Sequence, residues 1–140
     1  LAALKGRVKA AGLAERILFV DEMARGQLAD VLPALDPYIA LPRYEGHGVT
    51  PLEAMARGVP VILSDAGLFH AFVGGGVAGE VAVADTAAAI CSVRDLLTDT
   101  DRQRALAVAA RERAREQFSV GAESEAITRV NEELLAEAGR

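Results

Sequence analysis

Short runs of β-branched and aliphatic residues alternate with segments of helical periodicity along the first half of this chain, and that alternation restricts the fold more than any other feature. Ile17–Val20, Tyr38–Leu41 and Val61–Leu63 read as strands, with a weaker one at Glu80–Val83. Helical patterns lie between them near Gln27–Leu32, Pro51–Arg57 and Leu68–Val73, the first limited by Pro33 and the last by Gly74-Gly75-Gly76. Strands that alternate with helices pair in parallel, and a parallel sheet is covered on both faces. Beyond the strands only helical patterns follow. Asp85 and Asp101 are the expected N-caps of helices over Thr86–Leu97 and Arg102–Gln117, and an amphipathic helix is expected over Ala122–Ala138. With no internal repeat, low-complexity tract or linker, one α/β domain with a helical C-terminal tail is the economical reading. Leu1, Leu4 and Val8 share a helical face at the very start, so the chain reads as part of a longer protein.

A length of 140 residues with 51% hydrophobic content suffices for one core. The formal net charge of −5 argues against broad nucleic-acid binding, which needs a basic face. Arg111, Arg113 and Arg115 are interleaved with Glu112 and Glu116, the pattern of a solvated helix. The single cysteine, Cys91, follows an apolar run and reads as a buried small hydrophobe; one cysteine makes no internal disulfide, which suits a reducing compartment. His and Cys are too sparse for zinc, no nucleophile triad appears, and no apolar stretch is long enough to span a bilayer. Asp99-Thr100-Asp101 has the spacing of a metal-binding acid pair but falls between two helices, so a turn with a cap is expected there.

The chemistry concentrates in the segment from Arg43 to Pro60, where Glu45 and Glu53 stand eight positions apart around a glycine-rich turn that opens a helix. Thr50 is the expected cap, Pro51 the first helical residue and Gly58 the stop, which would aim backbone N–H groups near Val49 and Thr50 at the loop. A helix N-terminus favours anions. Gly46 and Gly48 allow a ligand close to the backbone, while the two carboxylates accept hydrogen bonds from sugar hydroxyls. Together they suit a sugar joined to a phosphate. Thr50-Pro51-Leu52-Glu53 also fits a capping box, in which Glu53 would only brace the helix. Arg43 could meet phosphate or point to solvent, and His47 could stack, hydrogen-bond or lie exposed.

The stretch from Pro42 to Asp65 resembles the donor-binding signature of the retaining glycosyltransferases of family four, in which two glutamates are separated by seven residues. The resemblance continues more weakly through Ser64-Asp65-Ala66-Gly67 and the Ala109–Ala114 helix to Gln117-Phe118-Ser119. It implies a GT-B architecture of two Rossmann-like domains, of which residues 1–140 would be the C-terminal, nucleotide-sugar-binding one, with an N-terminal acceptor-binding domain as its partner. Carried over, Glu45 would serve catalysis by contacting the hydroxyls of the transferred sugar. The backbone of Gly46, His47, Gly48, Val49 and Thr50 would meet that sugar and the diphosphate, and Glu53 would hold the ribose. Met23, after Ile17–Val20, would approach the base. The family uses no metal: an Arg and Lys pair, which precedes the stretch seen here, stabilises the leaving diphosphate. The same resemblance implies surface polysaccharide, lipopolysaccharide or glycolipid synthesis, in the cytoplasm or at the inner membrane face, with any peripheral membrane contact made by the other domain. Two positions depart from the pattern: His47 replaces a common aromatic, and His70-Ala71-Phe72 replaces Pro-Glu-Leu, removing an acidic residue.

Two rivals come from other classes. Ile17-Leu18-Phe19-Val20-Asp21-Glu22 is similar to the opening of a two-component receiver domain, but Tyr38–Leu41 runs into Pro42-Arg43 where a receiver needs its acceptor Asp. The only lysines, Lys5 and Lys9, precede the first strand. A non-catalytic sugar-nucleotide-binding module fits the same residues.

Overall fold

The computed structural model describes residues 1–74 and 76–139, without the side chains of Arg25, Leu68, His70 and Val73. Gly75, in the expected glycine stop, and the side chain of His70 therefore lie outside the described residues. Helix α1 (Ala2–Ala10) leads through turns and a stretch without regular structure into α2 (Arg25–Val31) and a 3-10 turn over Leu32–Ala34 that contains Pro33. Strand β1 (Tyr38–Ala40), helix α3 (Val49–Ala56) and strand β2 (Val61–Ser64) follow. A 3-10 turn over Gly67–Phe69 runs into α4 (His70–Val73), then β3 (Gly79–Val81), α5 (Thr86–Thr98), α6 (Thr100–Gln117) and α7 (Val120–Ala138).

The three strands form one parallel sheet in the order β1-β2-β3, with Ile39 opposite Ile62 and Leu63 opposite Glu80. Central β2 is buried along its whole length, as expected for a strand covered on both faces. Successive side chains point to opposite faces. Val61 and Leu63 accordingly join Met55 of α3 and Ala110 and Ala114 of α6 in the larger core cluster, whereas Ile62 joins Val81, Ala89 and Leu96 in the smaller one. Phe72 packs edge-on to Phe118 at 5.0 Å between ring centroids, closing the larger cluster toward the end of α6.

Ile17–Val20 is not a strand. It has no ladder partner among the described residues, Leu18 is 86% exposed, and the Lys5 ammonium of α1 lies over the Phe19 ring. A β-type run becomes a strand only where a neighbour supplies hydrogen bonds, and neither β1 nor β3 lies beside this one. The outer edge of β1 is open among the described residues, and an apolar groove lined by Ile39, Leu41, Ile90 and Leu97 runs along it.

The helix caps follow the expected chemistry with one shift. Asp85 accepts from the Ala88 N–H at 2.9 Å and caps α5; Ser119 accepts from Ala122 and caps α7. Helix α6, however, is capped by Asp99, which accepts from the Arg102 N–H at 2.9 Å, and the predicted cap Asp101 sits in the first turn. Both carboxylates suit a helix N-terminus, and the chain takes the earlier, gaining half a turn. Cys91 is exposed on α5, contrary to the expectation that it is buried; the inner face of that helix is taken by Ala89 and Leu96.

Candidate donor-binding site

The β1-to-α3 loop and the β2-to-α4 loop both leave the carboxyl edge of the sheet, where ligands bind in open α/β folds. Three contacts hold the two loops together. Buried Ser64, at the end of β2, donates its hydroxyl to the Pro42 carbonyl at 2.7 Å. Gly67, in the left-handed region at φ +55, lies so close to the backbone of Glu45 that a Cβ there would collide with the Glu45 carbonyl oxygen. Gly48, at φ +77, sits on the aromatic pair Phe69 and Phe72, and a Cβ would come within 2.5 Å of the Phe69 ring. Phe69 and Phe72 are themselves buried, 5.9 Å apart between centroids. The glycine-rich turn thus rests on a fixed aromatic floor.

Gly48 caps α3, and this corrects the expectation that Thr50 does so. Val49 is the first helical residue, and Thr50 and Pro51 follow it in the first turn. Pro51 is tolerated there because N–H groups of a first turn have no intrahelical partner. No side-chain hydrogen bond caps this end. Thr50 itself lies inside the first turn rather than at the N-cap, so Thr50-Pro51-Leu52-Glu53 does not form a capping box. The other end is as expected: Gly58, at φ +72, donates to the Met55 carbonyl and Val59 to the Ala54 carbonyl, the paired bonds of a Schellman stop.

One carboxylate oxygen of half-buried Glu45 accepts from the backbone N–H groups of His47 and Gly48, each at 3.1 Å. These loop amides thus already face a negatively charged oxygen. Gly46, His47 and Val49 are exposed, Thr50 and Glu53 half-buried and Gly48 buried, so the loop offers one open face beside a packed base. Arg43 is also exposed, and Met23 is half-buried in the stretch before α2. Among the described residues no group of three or more His, Cys, Asp or Glu side chains could hold a metal ion.

Tyr38 reports on the loop from beneath. Burial raises its phenol above the ordinary tyrosine range, and the negative charge of Glu45 raises it further. A phenol raised in the fold stabilises the protein fully below its unfolded pKa and loses that contribution as pH climbs through the folded value. Glu45→Gln is therefore expected to bring the Tyr38 titration part of the way back, with the burial effect remaining. Phenolate absorbance in a Tyr44→Phe background, which leaves one tyrosine of the two, makes the measurement; an unmoved titration would contradict the placement of Glu45.

Ser64, Gly67, Phe69 and Phe72 are the residues that local sequence reading undervalued. Ser64 and Gly67 stand in a segment already matched to the family, but the two phenylalanines give no local signal of lying under a turn more than twenty positions earlier.

Residues 1–113 match the family Glycosyl transferases group 1, and the chain belongs to that family. The lipopolysaccharide core biosynthesis mannosyltransferase LpsB of Rhizobium meliloti is 43% identical over 136 residues, which cover 94% of this chain and 38% of that protein. Sucrose-phosphate synthase from Thermosynechococcus elongatus superposes with a TM-score of 0.83 at 26% identity, over 97% of this chain and 34% of the other. Anabaena Alr3699/HepE, solved in complex with UDP, superposes at 0.80 with 24% identity, over 93% and 36%. The fold is that of a GT-B glycosyltransferase domain. The chain spans well under half the length of these proteins.

Proposed function

We propose that this chain is the donor-binding domain of a retaining glycosyltransferase that moves a sugar from a nucleoside diphosphate sugar to a lipopolysaccharide-type acceptor. The observation that carries the reading is the loop from Glu45 to Glu53: two carboxylates flank backbone N–H groups, two of which hold the Glu45 carboxylate itself, on the ligand edge of the sheet. In this reading Glu53 accepts from the ribose hydroxyls and Glu45 from those of the transferred sugar. The amides from Gly46 to Thr50 meet the sugar and the diphosphate, whose charge the N-terminus of α3 also favours. The similarity to LpsB makes mannose the first sugar to test.

The chemistry is front-face substitution. The diphosphate leaves from the same side of the sugar on which the acceptor attacks, and its oxygen takes the acceptor's proton, so the anomeric configuration is kept. Such a reaction needs reactants held in register and leaving-group charge stabilised rather than a protein nucleophile. An Arg and Lys pair from the remainder of the protein supplies the positive charge, and an N-terminal domain supplies the acceptor wall. The reaction takes place in the cytoplasm or at the inner face of the membrane. No helix among the described residues is long and apolar enough to cross a membrane.

Nucleoside diphosphates are expected to bind the full-length protein without a divalent ion. Calorimetry with and without a chelator tests this, together with transfer of labelled mannose to lipopolysaccharide core acceptors. Strict metal dependence would contradict the metal-free reading, and nucleotide binding without any transfer would favour a non-catalytic module.

A further inference from the structure

We propose that Arg57 is a positioning residue that sets the width of the nucleotide site from its far end. Arg57 is the C-cap of α3, and its guanidinium makes two bonds in different directions. One nitrogen donates to the Glu53 carbonyl at 3.0 Å, an ordinary bond to the last turn of its own helix. Another donates to the Ala29 carbonyl at 3.2 Å, in the last turn of α2 and 28 residues away. One planar cation thus joins the C-terminal ends of two helices, both of which carry partial negative charge.

The topology gives that tie its consequence. Helix α2 leads into the start of β1, and α3 leads from the end of β1 back to the start of β2, so both C-terminal ends lie at the amino edge of the sheet. Their N-terminal ends face the carboxyl edge. There α2 begins just after residues 21–24 and α3 begins at the Glu45 loop, which meets the donor in the function proposed above, on which this inference rests, so the setting of the two helices governs the room beside that loop. Leu28 of α2 and Leu32 of the 3-10 turn that follows it pack in the same core cluster as Met55 of α3, and the exposed Arg57 side chain ties α2 itself to the end of α3. Its action on the ligand runs through the α2 backbone and through the turn that bears Glu53.

The test uses the full-length protein with UDP, GDP and ADP as calorimetric probes, the tightest being kept for the variants. Arg57→Ala is expected to weaken nucleotide binding by about threefold to tenfold, the upper end being the scale of one hydrogen bond to a charged group, since the lost bonds lie within the protein and reach the ligand only through the helices. The donor KM should rise in step while kcat at saturating donor stays within about twofold, since the tie acts on ground-state and transition-state binding alike. Arg57→Lys keeps the charge at the helix ends but cannot span both carbonyls with a fixed fork, so it should hold the wild-type melting temperature and still show most of the affinity loss. If the alanine variant folds poorly, the lysine variant decides alone. Wild-type affinity in a folded variant, or lysine restoring affinity and melting temperature together, overturns the proposal. Glu53→Gln separates the two levels: weakened binding there with unchanged binding in the Arg57 variants refutes the tie and leaves the site standing. No change in either refutes both.

Discussion

Gly67→Ala is expected to abolish the sugar transfer proposed for the full-length protein while leaving most of the fold in place. The new Cβ would collide with the Glu45 carbonyl oxygen, so the loop bearing Glu45 must move. A misplacement of about 1 Å in a reacting group is enough to cost roughly 100-fold in turnover. The left-handed backbone adds about 1–2 kcal/mol of destabilisation by itself. Gly12→Ala supplies the control, since Gly12 has φ +69 and open space where its Cβ would go. Both variants should lose comparable stability from the backbone, but only Gly67→Ala should lose turnover. Steady-state kinetics and thermal melts of the two full-length variants make the comparison; equal activity in both would show that the contact between the loops does not position the site.

The second large effect separates the two glutamates. If Glu53 holds the ribose, Glu53→Gln should weaken binding of the free nucleoside diphosphate by about 1.5 kcal/mol or more, the scale of a hydrogen bond to a charged group. Glu45→Gln should spare that binding and lower turnover with the intact donor about tenfold or more, because the sugar's hydroxyls lose their charged partner. The capping-box alternative makes no such distinction, and the structure places the α3 cap at Gly48, leaving Glu53 inside the helix. Calorimetry with the nucleoside diphosphate and kinetics with the sugar nucleotide decide it. Equal nucleotide affinity in wild type and both variants would remove Glu53 from the site.

The strands Tyr38–Ala40 and Val61–Ser64 were legible because each is an aliphatic run bounded by loop or proline residues, and their alternation with helices implied parallel pairing. Ile17–Val20 has the same composition, yet it pairs with nothing in the described chain; strand formation depends on a neighbour that local sequence does not display. The α3 boundary shows a different limit. Thr50 followed by Pro51 is a valid helix opening, but the loop enters from a left-handed residue packed on Phe69, and Gly48, lacking a Cβ, adopts that conformation without strain. The two carboxylates and the turn between them were readable from spacing. The supports beneath them were not, because the contacts of Gly67 with Glu45 and of Phe69 with Gly48 join residues about twenty positions apart and leave no periodic trace. The tie from Arg57 to Ala29 is hidden for the same reason.

A structure of the full-length protein with a bound nucleoside diphosphate sugar would show directly whether the Glu45–Glu53 loop holds the donor. The ribose hydroxyls are expected on the Glu53 carboxylate, the diphosphate at the backbone amides between Gly46 and Thr50, and the sugar within hydrogen-bond reach of Glu45. A donor bound away from this loop, with the Glu45 carboxylate still on the His47 and Gly48 amides, would contradict it.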